Sequence, residues 1–239
     1  MKKLGILGGL GPMATAYFFQ LLTQMSDART DQEHMEIVLY SKPSIPDRTK
    51  YIIGESKMNP VEDMAIVGKK LKEMGADILA VPCITAHFFH QELEEKIGLP
   101  VIHAIEDTAL YLKEEKISRV GILATDGTIQ SGLFQNALKR CGISYFLPGE
   151  ENQKKLMEII YNEIKAGDNI NMSLFQQISE ELFDQGAELI LLACTELSLI
   201  RKDYDLSAGY LDVMEILARK AVKSCNRLRE EYMQLNYKR

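Results

Sequence analysis

The chain of 239 residues is long enough for one large α/β domain or two small ones, and a hydrophobic content of 46% supplies an ample core. A formal net charge of −6 without a basic block argues against nucleic acid, and no apolar run approaches the roughly 20 residues needed to cross a bilayer. Four cysteines in a chain of this size do not make a disulfide framework, and Met-Lys-Lys leads into no cleavable-signal layout, so reduced thiols in the cytoplasm are expected.

Residues 4–11, Leu-Gly-Ile-Leu-Gly-Gly-Leu-Gly, read as a buried strand running into a glycine loop, followed by a helix from about Met13 to Met25. Such a loop presents backbone N–H groups to an anion. Gly9-x-Gly11-x-x-Ala14 fits the dinucleotide fingerprint formally, but the acid required after the next strand is missing, because residues 36–40 run into Ser41-Lys42-Pro43. A tight turn that lets helix and sheet pack explains the glycines equally well. Residues 41–49 form a proline-punctuated loop at the carboxyl edge of that second strand, where Arg48 is placed either to clamp a carboxylate or simply to open a helix. A helix near 60–74 leads to a strand ending at Cys83; a helix over Thr85 to Gly98 and a short strand at 99–103 follow.

At Arg119 the pattern restarts. Gly5-Ile6-Leu7 and Gly11 recur 116 residues on, as Gly121-Ile122-Leu123 and Gly127. The run that ends at Cys83 recurs at an offset of 111, ending at Cys194, and His103 to Glu106 is echoed by Asp212 to Glu215 at an offset of 109. Three segments in the same order at near-constant spacing are the mark of a duplicated unit. Each copy predicts a parallel, flavodoxin-like sheet flanked by helices, giving two pseudo-symmetric α/β lobes with the site in the cleft between them. The expected lobes are residues 1–102 with 209–239, and residues 103–208. Residues 150–185 supply two helices, Glu151 to Lys165 and Met172 to Gln185, and the tail is helical from Val213 to about Leu235, returning to the first lobe.

Two equivalent cysteines facing one cleft have a chemical use. A carbon held between two thiols loses a proton to one side and gains one from the other, which inverts a stereocentre without a cofactor. Each cysteine stands at a predicted helix N-terminus, where the macrodipole favours thiolate. Thr85 and Thr195 are candidate helix caps and carboxylate donors, and Glu196 is near enough to Cys194 to assist proton movement. Against this stands the reading of both cysteines as small buried hydrophobes. Cys141 and Cys225 lack the symmetric relation and read as packing residues. Cys83, His87 and His90 have zinc-like spacing, but the second half has Ser198 where His87 would recur and four ligands are not found. His87 and His90 read as capping or surface groups, and His34 and His103 carry no signal.

These residues resemble the aspartate/glutamate racemase family over nearly the whole chain. The carrying motifs are Gly-Ile-Leu-Gly-Gly-Leu-Gly-Pro (5–12), Asp-Gln-Glu-His (31–34), Ile-Pro-Asp-Arg-Thr (45–49), Pro-Cys-Ile-Thr-Ala-His (82–87), Ala-Thr-Asp-Gly-Thr-Ile-Gln-Ser-Gly (124–132), Ile-Lys-Ala-Gly (164–167) and Cys-Thr-Glu (194–196). The resemblance implies an aspartate racemase that needs neither pyridoxal phosphate nor metal, usually a homodimer, with Cys83 and Cys194 as the acid/base pair. It also implies that Arg48 and Lys165 bind the substrate carboxylates and that Gly9, Leu10, Thr49, Ile84, Thr85 and Thr195 line the site, with Asp47, Glu196, Thr125 and Thr128 as auxiliary groups. Two positions depart from the family pattern. Ile84 stands where asparagine is usual, and Asp126 where a small hydroxyl residue is usual, which leaves room for a related acidic or broader amino acid. The same paired cysteines would suit a glutamate or hydantoin racemase, a maleate isomerase or an arylmalonate decarboxylase. A non-catalytic protein closing on an acidic amino acid and a nicotinamide enzyme are the readings from other classes.

Overall fold

The apolar runs become the central strands of two parallel sheets in the computed structural model, which describes residues 2–204, 206 and 208–235. In the first, β1 (Leu4–Gly8) lies between β2 (Ile37–Ser41) and β3 (Ile78–Ala80). In the second, β4 (Arg119–Leu123) lies between β5 (Ser144–Phe146) and β6 (Leu189–Leu192), with β7 (Tyr210–Asp212) beyond β6. Every residue of β1, and every residue of β4 after Arg119, is buried, as parallel strands covered on both faces must be. The first sheet gains one more pairing, a single parallel bridge from Leu79 to Val101. Only that bridge forms where a strand is expected at 99–103. With it, both halves share the order second, first, third, fourth, the beginning of a flavodoxin-like sheet.

The helices follow the same repeat. The first half carries α1 (Pro12–Met25), α2 (Arg48–Ile52), α3 (Val61–Glu73) and α4 (His90–Ile97), and then α5 (Ala104–Glu114) leads into the second. There α6 (Asp126–Gln130), α7 (Leu133–Arg140), α8 (Glu150–Glu158), α9 (Met172–Asp184) and α10 (Leu197–Asp203) precede the final α11 (Val213–Cys225). Pro12 opens α1, where its missing N–H costs nothing.

Three expected helices differ in detail. The segment after Cys83 first makes a 3₁₀ turn over Ile84–Phe89 and becomes α-helical only at His90, ending on left-handed Gly98. The helix through Lys165 starts at Glu150 and widens into a π-helical turn over Ile159–Ile164, so that the Lys165 N–H reaches back to the Ile160 carbonyl. The tail helix stops at Cys225, where Asn226 turns extended; Leu228 then bridges to Ser26, and a 3₁₀ turn spans Glu230–Tyr232.

Two crossover helices tie the halves together. Helix α5 leaves the edge of the first sheet and packs on α7, and α11 leaves the second sheet and packs on α1; the two also pack on each other. Parallel pairing of β7 with β6 keeps residues 210–212 in the second sheet, so a lobe boundary at 209 cuts a strand from its neighbour. The division we propose therefore assigns 1–102 with 213–235 to one lobe and 103–212 to the other. Leu22, Met25, Leu112, Phe134, Leu138, Leu217 and Val222 join the crossover helices to the second sheet in one continuous core. A smaller core, including Leu7, Val61, Met64, Leu71, Leu79, Val81 and Cys83, fills the far face of the first sheet.

Candidate active site

The two cysteines occupy matching positions in matching turns. Past the end of β3, the Ala86 N–H donates to the Cys83 carbonyl at 3.1 Å, and past the end of β6 the Leu197 N–H donates to the Cys194 carbonyl at 2.9 Å. Both cysteines are buried, and both line one inner pocket together with Leu10, Asp47, Arg48, Thr49, Ile84, Thr85, Thr125, Tyr161, Lys165, Thr195 and Glu196. That pocket leaves room for only about 10 Å³, on the scale of one water molecule. Asp47, Arg48, Lys165 and Glu196 also border an outer chamber of about 320 Å³, whose remaining wall includes Gly9, Gly11, Met13, Pro43, Ile45 and Leu199. Of the residues expected to line or assist the site, Thr128 lines neither space, and Gly9 reaches only the outer one.

The cations are fixed by local structure. Asp47 caps α2 by accepting from the Lys50 N–H, which sets Arg48 at the first helical position. The Arg48 side chain, 8% exposed, donates to the Ile45, Pro46 and Leu10 carbonyls and leaves Nε buried without a partner, a donor free for a ligand. Burial opposes its charge, but the Cys83 sulfur and the Asp47 carboxylate more than offset this, so the guanidinium is held above its ordinary value. The π-helical turn delivers Lys165 to the opposite side. Its Nζ lies 3.7 Å from the Tyr161 ring centre and 4.0 Å from Glu196 Oε1. Burial again opposes the charge, and Glu196 and neighbouring groups raise it overall. The Tyr161 hydroxyl, pushed up to about 12 mainly by burial, donates to Asp47. Nothing in the sequence marks Tyr161, because its contact with Asp47 depends on packing between elements more than a hundred residues apart. Asp47 itself is held low: burial works upward, but the Lys50 N–H, Lys165 and Arg48 prevail.

The two sulfurs have unlike neighbours. Cys83 faces the Arg48 guanidinium. Cys194 Sγ donates to Glu196 Oε2 at 3.0 Å, and burial followed by that carboxylate raises the thiol well above its ordinary value. The helix-terminus effect expected to favour thiolate at Cys194 is thus overwhelmed. The reason is burial first, and then that α10 begins only at Leu197 with a carboxylate standing between it and the sulfur. Glu196 Oε1 is buried without a hydrogen-bond partner, and it sits where a side chain on Gly11 would collide, 2.6 Å from an ideal Cβ. Gly11, at φ +144°, is therefore required by close approach to an acid, and a carboxylate in that position disfavours a phosphate on the loop.

Other expectations are corrected. Neither Thr85 nor Thr195 caps a helix. Thr85 Oγ1 is hydrogen bonded to Thr125 and Thr128 of the second half at 2.9 and 3.0 Å, joining the Cys83 turn to the second glycine loop, and Thr195 donates to Glu196. Asp126 accepts from Gln153 and lines neither space, so its charge is turned away from the cleft. His87 is buried rather than at the surface, its ring set against the neighbouring pair of His90 and His103, and burial brings it down to about 3. His103 caps α5. Among the described residues no group of His, Cys, Asp or Glu side chains has the arrangement to hold a metal ion.

The family model for Asp/Glu/hydantoin racemases matches residues 7–221. The broad specificity amino-acid racemase RacX of Bacillus subtilis is 26% identical over 92% of the chain and 97% of that protein. Among solved structures, the Picrophilus torridus aspartate racemase superposes with a TM-score of 0.81 at 30% identity, covering 98% of each chain. An aspartate racemase homologue from Pyrococcus horikoshii gives 0.74 at 25% identity, over 94% of this chain and 99% of the other.

Proposed function

The chain belongs to the Asp/Glu/hydantoin racemase family, and from that premise we propose that it interconverts L- and D-aspartate with Cys83 and Cys194 as the two proton-transferring groups. The observation that carries this reading is the shared inner pocket: two sulfurs from duplicated turns, with the buried Arg48 on one side of the cleft and the more exposed Lys165 on the other. Arg48 and Lys165 are suited to the two carboxylates of a dicarboxylic amino acid, and their charge also stabilises the enolate-like carbanion formed when Cα loses its proton. For one enantiomer Cys83 removes the proton, with Arg48 as counter-charge, and the Cys194 thiol delivers one to the opposite face. For the other enantiomer the roles exchange, and Glu196 Oε2, 3.0 Å from Cys194 Sγ, receives the thiol proton before the sulfur acts as base. No step requires a cofactor.

An inner pocket with room for about 10 Å³ is too small for any amino acid, so substrate enters through the outer chamber and the lobes part to admit it. That chamber supports a second reading in which longer side chains are accepted. It combines an apolar wall of Met13, Pro43, Ile45 and Leu199 with two acids and two cations, a surface that also suits neutral or zwitterionic groups. Incubating the purified protein with single enantiomers of the common amino acids in deuterium oxide tests both. Aspartate is expected to racemise, with deuterium on Cα of the product; faster exchange of a longer amino acid selects the second reading. Tight aspartate binding without α-hydrogen exchange would identify a binding protein. A homodimer is part of the proposal and is checked by sedimentation.

A further inference from the structure

Each catalytic turn touches the N-terminus of a crossover helix through the side chain four residues after the cysteine. In the second half, the Ser198 hydroxyl donates to Asp212 Oδ1 at 2.7 Å, and the same oxygen accepts from the Met214 N–H at 2.8 Å, capping α11. In the first half, the His87 ring packs 5.5 Å from that of His103, whose Nδ1 accepts from the Glu106 N–H and caps α5. The pairs are related by the repeat, Ser198 lying 111 residues after His87 and Asp212 109 after His103. His87, Ser198 and Asp212 are buried, and none of the four residues lines the inner pocket or the outer chamber. The His87 ring also engages the Val81 carbonyl, the acceptor of the Cys83 N–H.

The topology gives these contacts a mechanical meaning. Helix α5 leaves the first sheet and docks on α7 in the other half, while α11 leaves the second sheet and docks on α1. A relative movement of the lobes therefore pulls on each cap, and each cap holds a cysteine turn. We propose that Ser198–Asp212 and His87–His103 are positioning pairs that couple lobe closure to the placement of Cys194 and Cys83 respectively. The proposal rests on the two-thiol reading, since it assigns each pair to one proton transfer.

Because a racemase uses both thiols in every turnover, the test isolates single transfers with the separate enantiomers of 3-chloroaspartate. When a thiolate removes the α-proton, the resulting carbanion expels chloride with its bonding pair, and the opposite thiol is not needed. Chloride release from one enantiomer reports Cys83, and from the other Cys194. Ser198→Ala is expected to slow the Cys194 half-reaction by about 10- to 100-fold, the scale of a small misplacement of a reacting group, and to leave the Cys83 half-reaction within about twofold. His87→Leu is expected to do the reverse. Asp212→Asn, which preserves both the cap and an acceptor for Ser198, should stay within about threefold of the parent.

Equal slowing of both half-reactions by Ser198→Ala, or none of either, overturns the proposal. Absence of chloride release from the parent protein counts instead against the racemase reading. In that case, and for a variant that folds poorly, alkylation rates of the two thiols measured by mass spectrometry decide the matter. Ser198→Ala should alter labelling of Cys194 alone, and Asp212→Asn should leave both rates unchanged; any other pattern refutes the coupling.

Discussion

The Cys83 and Cys194 turns share a backbone, a depth of burial and a pocket, yet their electrostatic surroundings are opposite. Two residues after Cys83 stands Thr85, a hydroxyl tied to Thr125 and Thr128; at the matching position after Cys194 stands Glu196, a carboxylate bonded to the sulfur. A cation faces the first thiol and an anion the second. Duplication supplies a symmetric frame, and divergence at single positions polarises it: burial and Glu196 hold the Cys194 thiol well above its ordinary value.

The contrast between the two turns is tested most severely by removing one sulfur. If the thiols act as a unit, Cys83→Ala and Cys194→Ala should each lower racemisation by about 10³-fold or more, and the double variant should be little worse than either. Chiral chromatography of the reaction mixture measures this, and an unimpaired double variant would falsify the thiol mechanism. Next in size is the contrast between the cations. Arg48→Ala should reduce kcat/KM for aspartate by about 100-fold while affecting any turnover of alanine far less, since alanine lacks the second carboxylate. Equal losses would remove Arg48 from side-chain recognition. The same variant leaves Asp47 with Lys165 but without the Arg48 charge, so thermal unfolding should be compared alongside.

Glu196→Gln probes the polarity of the pair directly. The carboxylate raises the Cys194 thiol; a neutral amide ends that contribution, so the thiol loses its proton at lower pH. The alkaline limb of the kcat/KM profile should therefore move downward, with a rate loss of about tenfold at the optimum from the missing proton acceptor. An unmoved limb would mean that Cys194 is not the titrating acid.

Ile84→Asn makes the first turn more polar, as Thr195 already makes the second. It should alter the ratio of aspartate to alanine turnover and lower stability by about 1–3 kcal/mol if the buried amide finds no partner. An unchanged ratio would show that this wall of the pocket does not select the substrate.

The smallest effect concerns Asp212, whose carboxyl is pushed up from 3.8 to about 7 by burial and by Glu215. The folded state then holds this proton more tightly than the unfolded chain does. The stabilisation is complete below about pH 4 and is lost as the pH rises through about 7. Asp212→Asn should flatten that decline in denaturant titrations across pH, whereas an unchanged slope would assign it to another group.

Much of this was legible in the chain itself. The repeat offsets placed Cys83 and Cys194 at equivalent strand ends, and the glycine loops and the proline-punctuated stretch before Arg48 marked turns and a helix start, because those signals act over a few residues. The finer geometry was not. Thr85 and Thr195 have the composition of caps, but the threonines of the second loop and the Glu196 carboxylate claimed them instead. His87 looked like a surface group until the bridge at Val101 and the start of α5 brought His90 and His103 against it.

The sequence alone determined the duplicated α/β frame, the pairing of the cysteines and the identity of the charged residues near them, since periodicity, turn chemistry and repeat spacing are local properties. Tertiary packing alone dictates that burial and Glu196 raise the Cys194 thiol, that Tyr161 and Lys165 close over Asp47, and that the crossover helices reach back to both cysteine turns. Those outcomes arise from desolvation and from contacts between segments far apart in the chain, and neither depends on the order of residues until the lobes have packed.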